Sequence, residues 1–271
     1  MTKEIYLTNL LQLKNYFRIG SHIRNINLNL KKMKNLKILT LGTVILLSQA
    51  CQQKNTDTKQ ASTVEVVKEE IKEEVNENPN QVVFENLDQI LSPFEDMTEF
   101  ALNKSDEGIS KSLNKVETAV KEGVFAKNLT PESYKSLNSK IEQLKGYANT
   151  KNYEQVALTS TDIFEYNTSN FVDTKKIQNQ IRIEHLDYMG FKVLALLNQK
   201  NVNWQAIEQT IEGVKKEWLA LSPEIKDNNL KDSFEYLFEG LSTSAKNKDT
   251  KMGEILASMD LSLVDVLENS F

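Results

Sequence analysis

Between residues 204 and 221 the large apolar side chains fall at Trp204, Ile207, Ile211, Val214, Trp218 and Leu221, in alternating steps of three and four. At about 100° per residue such steps keep all six on one stripe of an α-helix, whereas the two-residue period of a strand would scatter them over both faces. The spacing recurs at Leu87, Ile90, Phe94, Met97 and Ala101, at Ile109, Leu113, Val116, Val120 and Val124, and at Tyr134, Leu137, Ile141, Leu144 and Ala148. It continues through 163–171, 186–197, 230–245 and 252–266. The pattern predicts an all-α fold of about eight helices, most of them roughly four to six turns long. Only 9 Gly and 4 Pro stand in 271 residues, too few breakers for the many turns of an all-β chain.

Thr130-Pro131-Glu132 and Ser222-Pro223-Glu224 each place a hydroxyl at an N-cap, proline at the first helical position and glutamate behind it. Ser105, Thr150 and Asn203 are further N-cap candidates. The connections are short, so successive helices should run antiparallel. The helices also repeat. Segment 120–124 resembles 214–218, segment 136–148 matches 233–245, and Thr161-Asp162-Ile163 matches Met259-Asp260-Leu261. The expectation is a helical domain over 82–271 built of two tandem up-and-down four-helix units, the first over 84–171 and the second over 177–271.

The chain before this domain is of another kind. Lys34 and Lys37 precede the apolar run 38–47, which is too short to span a bilayer and leads into Ser48-Gln49-Ala50-Cys51. A basic region, a short apolar run and a small residue before a cysteine resemble the lipobox of bacterial lipoproteins, although Ser48 stands where an aliphatic residue is usual. The resemblance implies a cleaved signal peptide over 33–50 and a covalent lipid on Cys51, the single cysteine of the chain. Met33 directly precedes the basic region and is read as the true start, which makes 1–32 an over-extended N-terminus. Residues 52–81 hold Lys, Glu, Asn, Gln, Thr and Ser with a few valines and no aromatic, the composition of a disordered tether. Up to Cys51 there are 8 Lys/Arg and 1 Asp/Glu, so the remainder carries 25 basic and 37 acidic residues, a net charge of −12. An acidic body disfavours nucleic acid as a partner and leaves membrane attachment to the lipid. The expected location is the bacterial cell envelope, at the outer membrane facing the periplasm or the surface, with Gln52 after Cys51 compatible with that sorting.

Residue supply excludes most reaction classes. Beyond Cys51 the chain holds one histidine, His185, and no further thiol, and it lacks GxSxG, P-loop, GxGxxG, HExxH and CxxCH motifs. The expectation is a non-enzymatic binding or scaffold protein with a protein or small-molecule partner and no cofactor besides the lipid. The alternative is a metal-binding lipoprotein: His185 with Glu184 and Asp187 opens the fifth helix, where Asp162 and Glu165 of the fourth could join them, a carboxylate-rich set suited to zinc, manganese or iron. Phe164, Tyr166, Tyr188, Trp204, Trp218, Tyr236 and Phe238 sit at helical spacing and read as core rather than as a ligand groove. Glu95-Asp96 and Glu117 read as solvated faces. Duplicated four-helix units on an exported chain are similar in outline to the imelysin-like family, which handles metal through a Gly-x-His-x-x-Glu motif. Here Ile183-Glu184 precede His185 and Tyr188 stands three places on, so the resemblance is architectural and carries no site residue across.

Overall fold

Nine α-helices and no strand occur among the described residues, 79–269, of the computed structural model. They are α1 (Pro79–Leu102), α2 (Asp106–Lys121), α3 (Val124–Asn128), α4 (Pro131–Asn149), α5 (Tyr153–Asn170), α6 (Gln178–Leu197), α7 (Trp204–Leu221), α8 (Asn228–Asn247) and α9 (Thr250–Glu268). The fold is all-α, as the spacing predicts. The expectations for 1–32, for the signal peptide over 33–50 and for a lipid on Cys51 lie outside the described residues. Helix α1 begins at Pro79, three residues before the expected boundary at 82, because proline needs no N–H partner in a first turn.

Three of the connections are one turn used three times. Lys104, Lys151 and Lys248 adopt left-handed backbone, with φ of 54°, 53° and 54°. In each, the lysine N–H bonds the carbonyl three residues back, on Ala101, Ala148 or Ala245. The next N–H bonds the carbonyl five back, on Phe100, Tyr147 or Ser244. This pair of bonds closes a helix C-terminus and reverses the chain. The residue after the lysine then caps the following helix: Ser105 accepts from Gly108 N, Asn152 from Gln155 N and Asp249 from Met252 N. The shared sequence is Ala-x-x-Lys followed by Ser, Asn or Asp.

Each set of four long helices closes into a ring. In the first, α1 packs on α2 and α5, and α4 packs on α5 and more lightly on α2; in the second, α6 packs on α7 and α9, and α8 joins α7 to α9. Leu87, Ile90, Phe94 and Met97 of α1 meet Leu137, Ile141 and Leu144 of α4 and Phe125 of α3 in one core. The second core centres on Trp218, whose ring lies 4.6 Å from Phe234 and 6.3 Å from Phe238. Helix α6 serves both: Ile181 and Ala195 belong to the first core, Ile183, Leu186, Met189 and Val193 to the second. A helix apolar on every side is a central helix, which is how a polar residue of α6 comes to be buried.

Several local expectations are corrected. Val124 does not extend the stripe of Ile109; Gly123 turns left-handed at φ 72° and α3 starts anew, placing Phe125 in the core against Phe94 at 6.2 Å. Thr130-Pro131 does start α4, but Ser222-Pro223-Glu224 forms a 3-10 turn that continues from α7. Ser222 stays helical with its N–H on Trp218 O, buried Ile225 anchors the exit, and Asp227 caps α8 by accepting from Asn229 N and Leu230 N. Thr150 closes α4, its hydroxyl donating to the Gly146 and Tyr147 carbonyls, and leaves the N-cap of α5 to Asn152.

These caps fix the register between the two bundles. Thr130 and Asp227, Lys151 and Lys248, and Asn152 and Asp249 are each 97 positions apart. No break lies inside α5 or α9, so Asp260 corresponds to Ile163 and not, as the sequence match suggests, to Asp162. Burial agrees: Ile163 and Asp260 are both fully buried, while the Asp162 side chain is half exposed.

Candidate functional site

The bundles meet where α5 packs antiparallel to α6, and the charged residues of that seam pair in order along it. His185 Nδ1 lies 3.0 Å from Glu165 Oε2, and Lys192 Nζ donates to Asp162 Oδ1 at 2.5 Å. Tyr188 stands between the two pairs, with its hydroxyl toward Thr210 of α7. Burial first, then the Glu165 and Asp162 charges, holds its hydroxyl well above the ordinary tyrosine range, so it stays neutral at any physiological pH.

An open cavity of about 340 Å³ lies over the Asp162–Lys192 pair, where Lys140 and Tyr147 of α4, Gln155 of α5 and Asn203 before α7 surround it. A second, of about 260 Å³, lies at the other end of the seam beside His185, Arg182, Gln178 and Ser169. The walls of both mix amide, hydroxyl and charged groups with apolar side chains, Leu158, Ile163 and Leu196 in the first and Ile181 in the second. Such surfaces can hydrogen-bond a polar ligand.

The five residues anticipated as one cluster are divided by the rotation of α6. His185 meets Glu165, and Asp162 is taken by Lys192 instead of joining them. Glu184 and Asp187 point to the other side of α6, because residues one and two positions from His185 lie about 100° and 200° around the helix. Among the described residues no group of three or more His, Cys, Asp or Glu is arranged to hold a metal ion. The aromatics divide as well: Phe164, Trp218 and Phe238 are core, Tyr166, Tyr188 and Trp204 are half-buried, and Tyr236 is exposed.

On the far side of α6 the structure assembles a group that sequence reasoning missed. Glu184 and Asp187 are 5% and 8% exposed and face α1 and α9. Glu95 of α1, expected to be a solvated residue, brings its carboxyl up to that of Asp187. Asp260 of α9 is 0% exposed and neither of its carboxyl oxygens has a hydrogen-bond partner. Its Oδ2 lies over Gly190, 2.9 Å from where a Cβ would stand. Burial first and the charge of Asp187 second push the Asp260 carboxyl well above its usual range; the Gly190 amide draws it back slightly without reaching hydrogen-bond geometry. The signal in the sequence was Asp260's place in the inner stripe Gly253, Ala257, Asp260, Val264, Leu267, where a hydrocarbon is the rule.

No family model matches the chain, and no curated protein or solved structure matches it.

Proposed function

We propose that the chain is a lipid-anchored, exported helical binding protein of the bacterial envelope, and that the groove along α5 and α6 takes a small polar ligand. The carrying observation is the pair of cavities strung along one seam, the larger of them mainly polar and lined by the Asp162–Lys192 pair. Lys192 keeps only 12% of its side chain exposed, so its ammonium is presented to the groove by its surroundings rather than waving in solvent. A ligand bearing both a donor-rich and an acceptor-rich end would find the two members of that pair and the amides of Gln155 and Asn203 around them. The anchor rests on the segment ending at Cys51, and the acidic, tether-like stretch after it would hold the bundles off the membrane.

Two measurements on the full chain test the two halves of this reading. Cells fed radiolabelled palmitate should label the protein, and Cys51→Ala should abolish the label; an unlabelled wild type sinks the anchor. A thermal-shift screen of polar metabolites should return compounds whose stabilisation is lost in Asp162→Asn and Lys192→Met. Compounds that stabilise wild type and both variants equally would move the site away from the groove.

A further inference from the structure

The carboxyls behind α6 do something that the groove does not require. Asp187 stands on the helix common to both cores, Glu95 comes from the first bundle and Asp260 from the second. We propose that the carboxyls of Glu95, Glu184, Asp187 and Asp260 form a proton-operated latch: holding protons they close the seam of α1, α6 and α9 that joins the bundles, and losing them they open it.

Geometry carries this in three steps. An ionised carboxylate only accepts hydrogen bonds, so the close approach of the Glu95 and Asp187 carboxyls is favourable only with a proton on one of them. Asp260 is sealed from water with both oxygens unpartnered, and an ionised carboxylate in such a place is far costlier than the neutral acid. Asp260 and Leu261 pack directly over Gly190, so closely that a Cβ there would come within 2.5 Å of Leu261 Cδ2, and α9 sits tight on α6 at this point. Separation of α9 from α6 is therefore the route by which water could reach a charged Asp260.

The groups facing the latch from each packed helix are Asp88 and Glu95 on α1, Glu184 and Asp187 on α6, and Asp260 and Glu268 on α9. Burial raises Glu184 first, and the charges of Asp187, Glu268 and Asp88 raise it further. Glu95 is raised by burial, then by Asp187 and Glu184, by its close approach to Asp187 and by Glu268. Groups so close titrate in macroscopic steps that belong to the set and not to any one residue, each proton lost making the next harder to lose.

The sign follows from linkage. A carboxyl whose folded pKa lies above its unfolded value, near 4 for Asp and Glu, stabilises the closed form fully below that unfolded value. The contribution is lost as pH rises through the folded value. This is the reverse of the ordinary ion-paired carboxylate, so the latch should be closed in mild acid and opened by alkali.

The test is a set of thermal melts of the full chain from pH 5 to pH 9, with protonated-carboxyl infrared absorption recorded on the same samples. Wild type should lose roughly 5 °C or more of Tm over that range. The variant Glu95→Gln, Glu184→Gln, Asp260→Asn carries amides in place of neutral acids; it should melt higher than wild type at pH 9 and with a flattened slope. Amide protection near Glu95 in α1 and near Asp260 in α9 should fall in wild type with alkali ahead of protection in α2 and α7. A wild-type Tm that is flat or rises with pH overturns the latch, as does a variant with an unaltered slope. If the triple variant does not fold, the infrared measurement decides alone: a protonated-carboxyl band present at pH 7 and lost in alkali supports the latch, and its absence at pH 7 overturns it.

Discussion

Ile163 and Asp260 hold the same place in two copies of one architecture, the same distance from equivalent caps and both fully buried, yet one is a hydrocarbon and the other an acid. The first bundle treats the position as core: Ile163 packs among Leu87, Phe94 and Leu144. The second places a carboxyl there and surrounds it with Asp187 and Gly190, where a side chain would not fit. The position therefore demands volume and not a particular chemistry, and the acid is tolerated where neighbouring carboxyls and a missing Cβ make room for its neutral form.

Exchange of the chemistry between the copies gives the largest expected effect. Ile163→Asp puts an acid into the first core without that setting, and should cost about 4 kcal/mol or more, read as a fall in the urea midpoint. A loss below about 1 kcal/mol would mean that the two positions do not differ in what they tolerate. Next in size is Gly190→Ala. The new methyl would stand 2.5 Å from Leu261 Cδ2 and 2.9 Å from Asp260 Oδ2, and a loss of about 1–3 kcal/mol is expected from overpacking. Gly213 of α7 provides the contrast, since nothing lies within 4 Å of its Cβ position. There, Gly213→Ala should gain about 0.5–1 kcal/mol from helix propensity alone. Equal effects at the two glycines would remove the close approach of α9 to α6 as the reason for Gly190.

The two sides of α6 make a smaller comparison with opposite signs. On the groove side Asp162 and Glu165 are partly exposed and paired with Lys192 and His185, so Glu165→Gln or Asp162→Asn should cost less than about 1 kcal/mol, and the Asp162 cost should shrink with added salt. On the latch side Glu184→Gln should raise Tm at pH 8, because the amide replaces an acid that burial already drives toward its neutral form. Destabilisation by both kinds of substitution would show that the two sides are held by the same kind of interaction.

What the sequence makes legible follows from what each residue reports. The step of three and four at Trp204, Ile207 and Ile211 depends only on local geometry, and it locates the eight long helices but not the five-residue α3, which Gly123 starts anew. Thr130, Ser105 and Asn203 cap as read because a hydroxyl or amide two or three residues before a free N–H needs no tertiary information. Ser222-Pro223-Glu224 misleads because the same residues suit a 3-10 turn closing α7, and the choice is made by Ile225 finding the core. The site was less legible. Glu184, His185 and Asp187 adjoin in the chain, but the side each one faces is set by the rotation of α6 between two cores, a property of the assembled bundles. Glu95 gave a faint sign, since Leu91 and Thr98 at four and three residues' distance mark a second buried face of α1. The register error that paired Asp260 with Asp162 hid the strongest sign, an acid at a core position.

The smallest effect concerns the turn that occurs three times. A lysine with φ near 54° carries a strain that glycine would not, so Lys248→Gly should gain about 0.5–1 kcal/mol. Lys151 has the same backbone but a second tie: its ammonium bonds Asp106, which also accepts from Tyr153 Oη at 2.8 Å. Those two hydrogen bonds hold the Asp106 carboxyl below its usual range, the Lys151 bond contributing most. A carboxyl lowered in the folded state stabilises above its unfolded pKa, near 3.9, and ceases to do so as pH falls through the folded value. Lys151→Gly should therefore gain less than Lys248→Gly at neutral pH, and the difference should close in acid and in high salt. If the gap instead persists in high salt, where the Asp106 contact is screened, the turns differ in backbone strain and not in that contact, and the equivalence of the three connections fails.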